Sequence, residues 1–207
     1  MSLDGDPEIV NNFFDCAPGN PIKLLNHWFL QANNLGVSEP YGFVLSTISS
    51  EYGCSSRVVL AKEIDDLGVI FSTSENSRKG KEIYKDPNVS ANFWWRETLQ
   101  QIEIKGQVVK LSAKESEDIF QNRVRSAKVI AVVSQQSIIL DDENILKSEV
   151  ASIIASEEKI AKPDSWHAYR IIPNEVEFWH GSPDRFHRRL KYIRQKDEGW
   201  SHFRLQP

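Results

Sequence analysis

The chain has 207 residues, of which 40% are hydrophobic and 26% charged, a composition that suits one globular domain with a sizeable core. With 29 acidic against 25 basic residues it lacks the net basic footprint of a general nucleic-acid binder, and no segment approaches the length of a membrane span. Cys16 and Cys54 lie far apart with no CxxC pair, and the five histidines form no HxxxH or HExxH set, so reduced thiols and no metal are expected.

In chain order, residues 1–20 read as a flexible arm. Its start, MSLDGDPEIV, has no basic region followed by an apolar run, so a cytoplasmic chain without a secretory signal is expected. Residues 21–207 read as a single domain. Pro21 opens a helix in which Ile22, Leu24, Leu25, Trp28, Phe29 and Ala32 recur at helical spacing until Gly36. YGFVLSTIS (41–49) reads as a strand, EYG as a turn and SRVVLAKEI (56–64) as the hairpin partner. VIFST follows as a short strand ending at Thr73, and KGKEIYKD as a short helix halted before Pro87. VSANFWW (89–95) and QQIEIKGQVVKL (100–111) read as long strands joined by RETL, with Phe93, Trp94 and Trp95 as core or interface aromatics. The period then changes. AKESEDIFQNR is amphipathic, SAKVIAVVS apolar, and LKSEVASIIASEEKI continues as a helix over 146–160. WHAYRIIP and EVEFWH read as two more strands, His187 falls on a basic helical turn, and KYIRQ to GWSHFRLQ reads as a closing hairpin. Strands in hairpin order with helices inserted late predict an α+β fold: an antiparallel, Greek-key-like barrel with peripheral helices. The glycine patterns GxGxxG and GxxxxGK[ST], the common phosphate cradles of parallel sheets, are missing.

The stretch SENSRKGKEI (74–83) gathers Ser77, Arg78 and Lys79 where a strand ends and a helix begins. Unpaired amides and the positive end of the helix dipole suit a bound anion there; a solvated turn is the simpler alternative. Arg57 and Lys62 flank VVLA, but their odd separation puts them on opposite faces of a regular strand, so they share a ligand only across a bulge or around a long, bent molecule. Gln101 reads equally as a solvent-facing strand residue, and Gln136 with Ser137 as a helix cap.

RVVLAK (57–62), FSTSENSRKG (71–80), WWRETLQQIEIKG (94–106), VSQQS (133–137), EFWHGSPDRFHRRLKY (177–192) and the ending GWSHFRLQP together resemble the pyridoxamine 5′-phosphate oxidase family of flavin enzymes. The likeness runs in order from about residue 40 to the C-terminus, and WRETLQQI and RLQP most resemble the branch that serves phenazine biosynthesis. The resemblance implies an FMN-binding split barrel that forms a homodimer with FMN at the subunit interface. It implies that Arg57, Ser77, Arg78 and Lys79 hold the FMN phosphate with Ser72 and Thr73 nearby, and that Val58, Val59 and Leu60 run along the cofactor. Lys62 would approach flavin and substrate, Gln101 would hydrogen-bond the flavin ring, and Gln136, Ser137, Trp179 and Arg189 would complete the pocket, some from the partner chain. Arg123, Arg185 and His187 would face the substrate, with Arg185 orienting it and His187 relaying a proton. The family's tyrosine, arginine and serine for the substrate phosphate correspond here to Ile119, Arg123 and Ala127, so two hydroxyl donors are gone. That departure implies a flat substrate carrying carboxylates, a partly reduced phenazine carboxylic acid. Its hydride would pass to flavin N5, and O₂ would be reduced to hydrogen peroxide. A pyridoxine or pyridoxamine 5′-phosphate oxidase making pyridoxal 5′-phosphate is the alternative, and a non-catalytic flavin-binding module a further one.

Overall fold

A computed structural model describes residues 12–156 and 158–207. The Asn20 side chain accepts a hydrogen bond from the Ile22 amide at 2.9 Å, and Pro21 fills the first helical position, where a missing N–H costs nothing. The helix so started, α1 (Pro21–Asn34), buries the six predicted apolar residues. Its Trp28 meets Phe178 edge-on at 5.1 Å, and its Phe29 meets Phe93 and Trp95 at 5.1 and 5.0 Å. Phe93 and Trp95 are therefore core, while Trp94 between them points out of the sheet.

The described strands form one antiparallel sheet that does not close: β1 (Gly42–Ser49), β2 (Gly53–Leu60), β3 (Glu63–Asp65), β4 (Gly68–Ser74), β5 (Asn88–Trp95), β6 (Gln100–Lys110), β7 (Trp166–His180), β8 (Arg188–Arg194) and β9 (Trp200–Leu205). Their order is β2-β1-β5-β6-β7-β4-β3, with β8 added to β7 and β9 to β8. The single strand expected over 56–64 is two. The Ala61 amide still bonds Tyr41 O at 2.9 Å, but the Lys62 amide bonds Ile70 O at 2.7 Å, so the chain changes partners there and β3 pairs with β4 instead of β1.

The two strands expected over WHAYRIIP and EVEFWH are one, the 15-residue β7. It splits the sheet. β6 follows one edge of β7, while the other edge pairs with β4 over residues 166–171 and with β8 over 175–180. Pro173 lies in the gap, where its lack of an N–H breaks no ladder. β6 answers with a register shift at Lys105/Gly106, and a side chain at Gly106 would land on the Ile172 carbonyl. Gly68 of β4 approaches the Ile171 carbonyl as tightly.

Four further helices, α2 (Arg78–Lys85), α3 (Ala113–Gln121), α4 (Arg125–Val133) and α5 (Glu143–Ala155), complete the described fold. Asp142 starts α5 earlier than predicted by accepting from the Asn144 amide, and the helix ends before the predicted 160. No helix turn holds His187: residues 181–187 form the loop of the β7–β8 hairpin, with Arg185 in the left-handed region at φ 70°. Residues 1–11 of the expected arm lie outside the described residues. The rest of it, from a 3-10 turn at Asn12–Phe14 to Asn20, is docked, with Phe14 buried and Tyr192 Oη donating to Pro18 O at 2.9 Å. Among the described residues no helix is long and apolar enough to cross a membrane.

Candidate functional site

Ser77 caps α2 by accepting from the Gly80 amide at 3.2 Å while its own hydroxyl donates to Ser74 O at 2.7 Å. A second cap comes from outside the helix. Ser137 Oγ accepts from the Arg78 amide at 3.1 Å, which ties the 134–137 loop to the start of α2. Lys79 Nζ donates to Gln136 Oε1 at 3.2 Å and lies 3.4 Å from Ser77 Oγ, and Thr73 Oγ1 lies 3.2 Å from Ser77 Oγ. The structure thus brings Thr73, Ser77, Arg78, Lys79, Gln136 and Ser137 together. An open surface pocket of about 450 Å³ beside them is lined by Tyr52, Arg78, Glu82, Gln136 and Ser137 among others. Lys79 is half-buried among neutral oxygens, and burial, with a smaller push from the Arg57 charge, holds its pKa below the usual lysine value.

Arg57 reaches this group from β2. Its Nη1 donates to Leu45 O at 3.2 Å and to Thr47 Oγ1; its Nη2 donates to Ser55 Oγ at 2.6 Å and to Glu82 Oε2 at 3.2 Å. Arg78 Nε binds the other Glu82 oxygen at 2.9 Å, and Thr47 and Ser55 also donate to Glu82. Burial alone would raise the Glu82 pKa, but hydrogen bonds from Thr47, Arg78 and Ser55 and the Arg57 charge outweigh it and bring the pKa to about 2. Sequence reasoning missed Glu82. Its only sequence signal is its place four residues after Arg78, on the same helix face.

A second basic group lies at Ser72 and beyond α3. Arg123 Nη1 is 3.4 Å from Ser72 Oγ, Nη2 donates to Ala127 O at 3.0 Å, and the guanidinium sits 5.2 Å from the Trp166 ring centroid. Its Nε is buried with no protein partner. Burial lowers the Arg123 pKa, and burial followed by the Arg123 charge lowers that of Lys62, so the two cations are neighbours. Among the described residues no carboxylate forms an ion pair with Lys62, Lys79 or Arg123. Ile119 packs against two apolar clusters, and Ala127 offers only its carbonyl.

The third group forms a row across the sheet. Trp94 pairs with Gln101, Gln101 with Trp179, and Trp179 with Arg189, so all four share the outward face. Arg189 Nε donates to Glu177 Oε1 at 2.7 Å. The Trp179 ring lies 6.0 Å from that of Trp94 and 4.8 Å from that of His187, whose Nδ1 accepts from the Ser182 amide at 3.1 Å. Arg185 is exposed. Val58 and Leu60 are exposed on the same outward face, while Val59 turns toward the core. Among the described residues no hydrogen bond or ion pair joins Gln101, Trp179, Arg185, His187 or Arg189 to the groups around Lys79 and Arg123. One chain therefore carries the predicted site residues as separate sets.

Residues 31–156 match the family model described as pyridoxamine 5′-phosphate oxidase, and residues 166–207 match the one described as the pyridoxine 5′-phosphate oxidase C-terminal dimerisation region. The chain belongs to the pyridoxamine 5′-phosphate oxidase family. Among family members, the dihydrophenazinedicarboxylate synthase of Burkholderia lata is 38% identical over the whole chain and 97% of its own length. A pyridoxine/pyridoxamine 5′-phosphate oxidase of Thermosynechococcus vestitus is also 38% identical, over 92% of this chain and 90% of its own. The crystal structure of PhzG from Burkholderia lata, in complex with tetrahydrophenazine-1-carboxylic acid, superposes with a TM-score of 0.94 at 37% identity, covering 98% of this chain and all of that one. A family-related FMN-binding protein from Nostoc punctiforme shares the fold, with a TM-score of 0.76 at 16% identity over 90% of this chain and 98% of its own. The split sheet is thus the FMN-binding split-barrel fold of this family.

Proposed function

We propose that this protein is an FMN-dependent oxidase that aromatises a partly reduced phenazine carboxylic acid in the cytoplasm, with O₂ as acceptor, and that it works as a homodimer. The observation that carries the reading is the set of partly buried cations without carboxylates. Lys79 is half-buried among neutral oxygens, and Arg123 keeps a buried Nε without a partner. Charge withdrawn from water calls for a counter-charge, and a phosphate at Lys79 and a carboxylate at Arg123 would supply it. These residues fit FMN: Arg57, Arg78, Lys79 and Ser77 for the phosphate with Ser72 and Thr73 nearby, and Gln101, Gln136, Ser137, Trp179 and Arg189 for the remainder. Bound FMN would supply a two-electron acceptor for the substrate hydride, which with a proton and O₂ as final acceptor accounts for hydrogen peroxide.

The chain's own part is binding and orientation. Arg123, Lys62 and Arg185 would pair with substrate carboxylates, and the indole of Trp179 beside His187 gives a flat ring an apolar wall. His187 Nδ1 is occupied by the Ser182 amide, which leaves Nε2 to exchange a proton. Oxidation that restores aromaticity asks little of an enzymic base.

Equal identity to a phenazine enzyme and to a vitamin enzyme leaves the substrate to individual residues. Ile119 and Ala127 remove two hydroxyl donors beside Arg123, each worth roughly 1.5–3 kcal/mol toward a phosphate. Anaerobic loss of the yellow flavin absorbance is the deciding measurement, with reduced phenazine carboxylate and pyridoxine 5′-phosphate compared at equal concentration. Rapid bleaching by the phenazine alone is expected. Ile119→Tyr combined with Ala127→Ser should strengthen pyridoxine 5′-phosphate binding by about 100-fold or more. Faster bleaching of the wild type by pyridoxine 5′-phosphate would overturn the substrate assignment.

A further inference from the structure

The hairpin that carries Arg185 and His187 closes on the cross-strand pair His180 and Arg188. One short turn near the start of the described chain touches both members of that pair. The buried ring of Phe14 stacks on His180, with centroids 6.4 Å apart and an interplanar angle of 14°. Against the same ring lie the guanidinium of Arg188, 4.8 Å from its centroid, and that of Arg204 at 5.3 Å. The next residue, Asp15, forms an ion pair with Arg188 Nη2 at 2.6 Å and faces Arg204 Nη1 at 3.6 Å, while Arg204 Nη1 donates to Phe14 O at 3.1 Å. Tyr192 holds the following segment through Pro18 O.

Beyond the Gly181 amide, which donates to Leu99 O at 2.9 Å, the bonds within the loop are local. The Ser182 amide donates to His187 Nδ1, the Arg185 amide to Ser182 O at 3.1 Å, and the Phe186 amide to Asp184 Oδ1 at 2.9 Å. Such local bonds set the loop's internal shape, while the Gly181 bond and the His187 ring 4.8 Å from that of Trp179 touch the sheet from within it. The loop joins β7 and β8 at the two residues that Phe14 and Asp15 grip. Asp15 is exposed and distant in sequence from every site residue, so nothing in the primary structure marks it.

We infer that Phe14 and Asp15 are positioning residues that clamp the His180 and Arg188 pair and thereby hold the Arg185–His187 loop in the orientation that receives substrate. The inference rests on the proposed role of that loop in substrate binding. Asp15→Ala and Phe14→Leu, made in the full-length FMN-loaded protein, test it, with Asp15→Glu as the conservative control. The exposed ion pair of Asp15 contributes little to global stability, so its removal leaves the fold intact. Deuterium exchange at the amides of Ser182, Arg185 and Phe186 is expected to quicken by about tenfold in both variants, while the Gly80 amide at the α2 cap keeps its wild-type rate. KM for reduced phenazine carboxylate should rise about three- to tenfold with kcat changed by less than about twofold and FMN affinity unchanged, and Asp15→Glu should restore both readouts. Wild-type exchange at all three amides in both variants overturns the clamp. Faster exchange with an unchanged KM overturns the positioning role. A wild type that does not oxidise the phenazine at all defeats the proposed function instead, while exchange still decides the clamp.

Discussion

Glu82 holds Arg57 and Arg78 in place from the buried side of both. A carboxylate with only 8% of its side chain exposed takes bonds from Arg57, Arg78, Thr47 and Ser55, so its cost of burial is offset by charge-assisted contacts from several directions. Its pKa lies near 2 in the fold against the ordinary 4.5, so the folded state favours the ionised form. The resulting stabilisation is fully present above pH 4.5 and declines as pH falls toward 2. Glu82→Gln should therefore be less stable than the wild type by roughly 1.5–3 kcal/mol near pH 6, and the gap should shrink on acidification through that window. Urea midpoints taken from pH 6 to pH 2.5 measure it. A gap that stays constant with pH would show that the ionised carboxylate is not what holds the arginines.

At the scale of elements, the split of β7 is the feature on which the architecture turns. Pro173 sits where the free edge of β7 passes from β4 to β8, and Gly106 and Gly68 let β6 and β4 come against the backbone around it. Gly106→Ala sets a methyl group onto the Ile172 carbonyl, and backbone cannot rotate away as a side-chain tip does. We expect a loss of about 2–3 kcal/mol, read as a lower thermal midpoint. Gly19→Ala is the control, since nothing lies within 4 Å of the added carbon. Equal midpoints for the two variants would mean that β6 shifts freely and that the register change is not fixed by this contact. The partner change at Ala61 and Lys62 matters at this scale as well. It removes the opposite-face conflict between Arg57 and Lys62, because the two residues no longer belong to one strand.

At the scale of the whole molecule, the outward sheet face carries Val44, Val58 at 71% exposure, Leu60, Trp94 and Phe203. Apolar surface of this extent marks an interface, and residues 166–207 match a dimerisation region. Under the proposed function, the separate sets of one chain are halves of composite sites completed by a second copy. Val44→Asp, which places a charge opposite Val58 on that face, should give a monomer by light scattering at micromolar concentration and a fall in bound FMN of about tenfold or more. A monomer that keeps one FMN per chain would show that each chain builds its site alone.

Local chemistry in the sequence determined α1 from its Pro21 start and apolar spacing, the β1–β2 and β5–β6 hairpins, the strand-to-helix junction at Ser77–Lys79, and the family through its ordered motifs. Those features depend on residues within a turn or two of each other. Only the tertiary structure decided that β7 is one strand with two partners, that residues 56–64 are shared between two pairings, that Glu82 bridges Arg57 and Arg78, and that Asp15 reaches Arg188. Each of these joins groups distant in sequence whose meeting is fixed by strand register and by the packing of α1 and the N-terminal turn, and no periodicity along the chain records a register between strands.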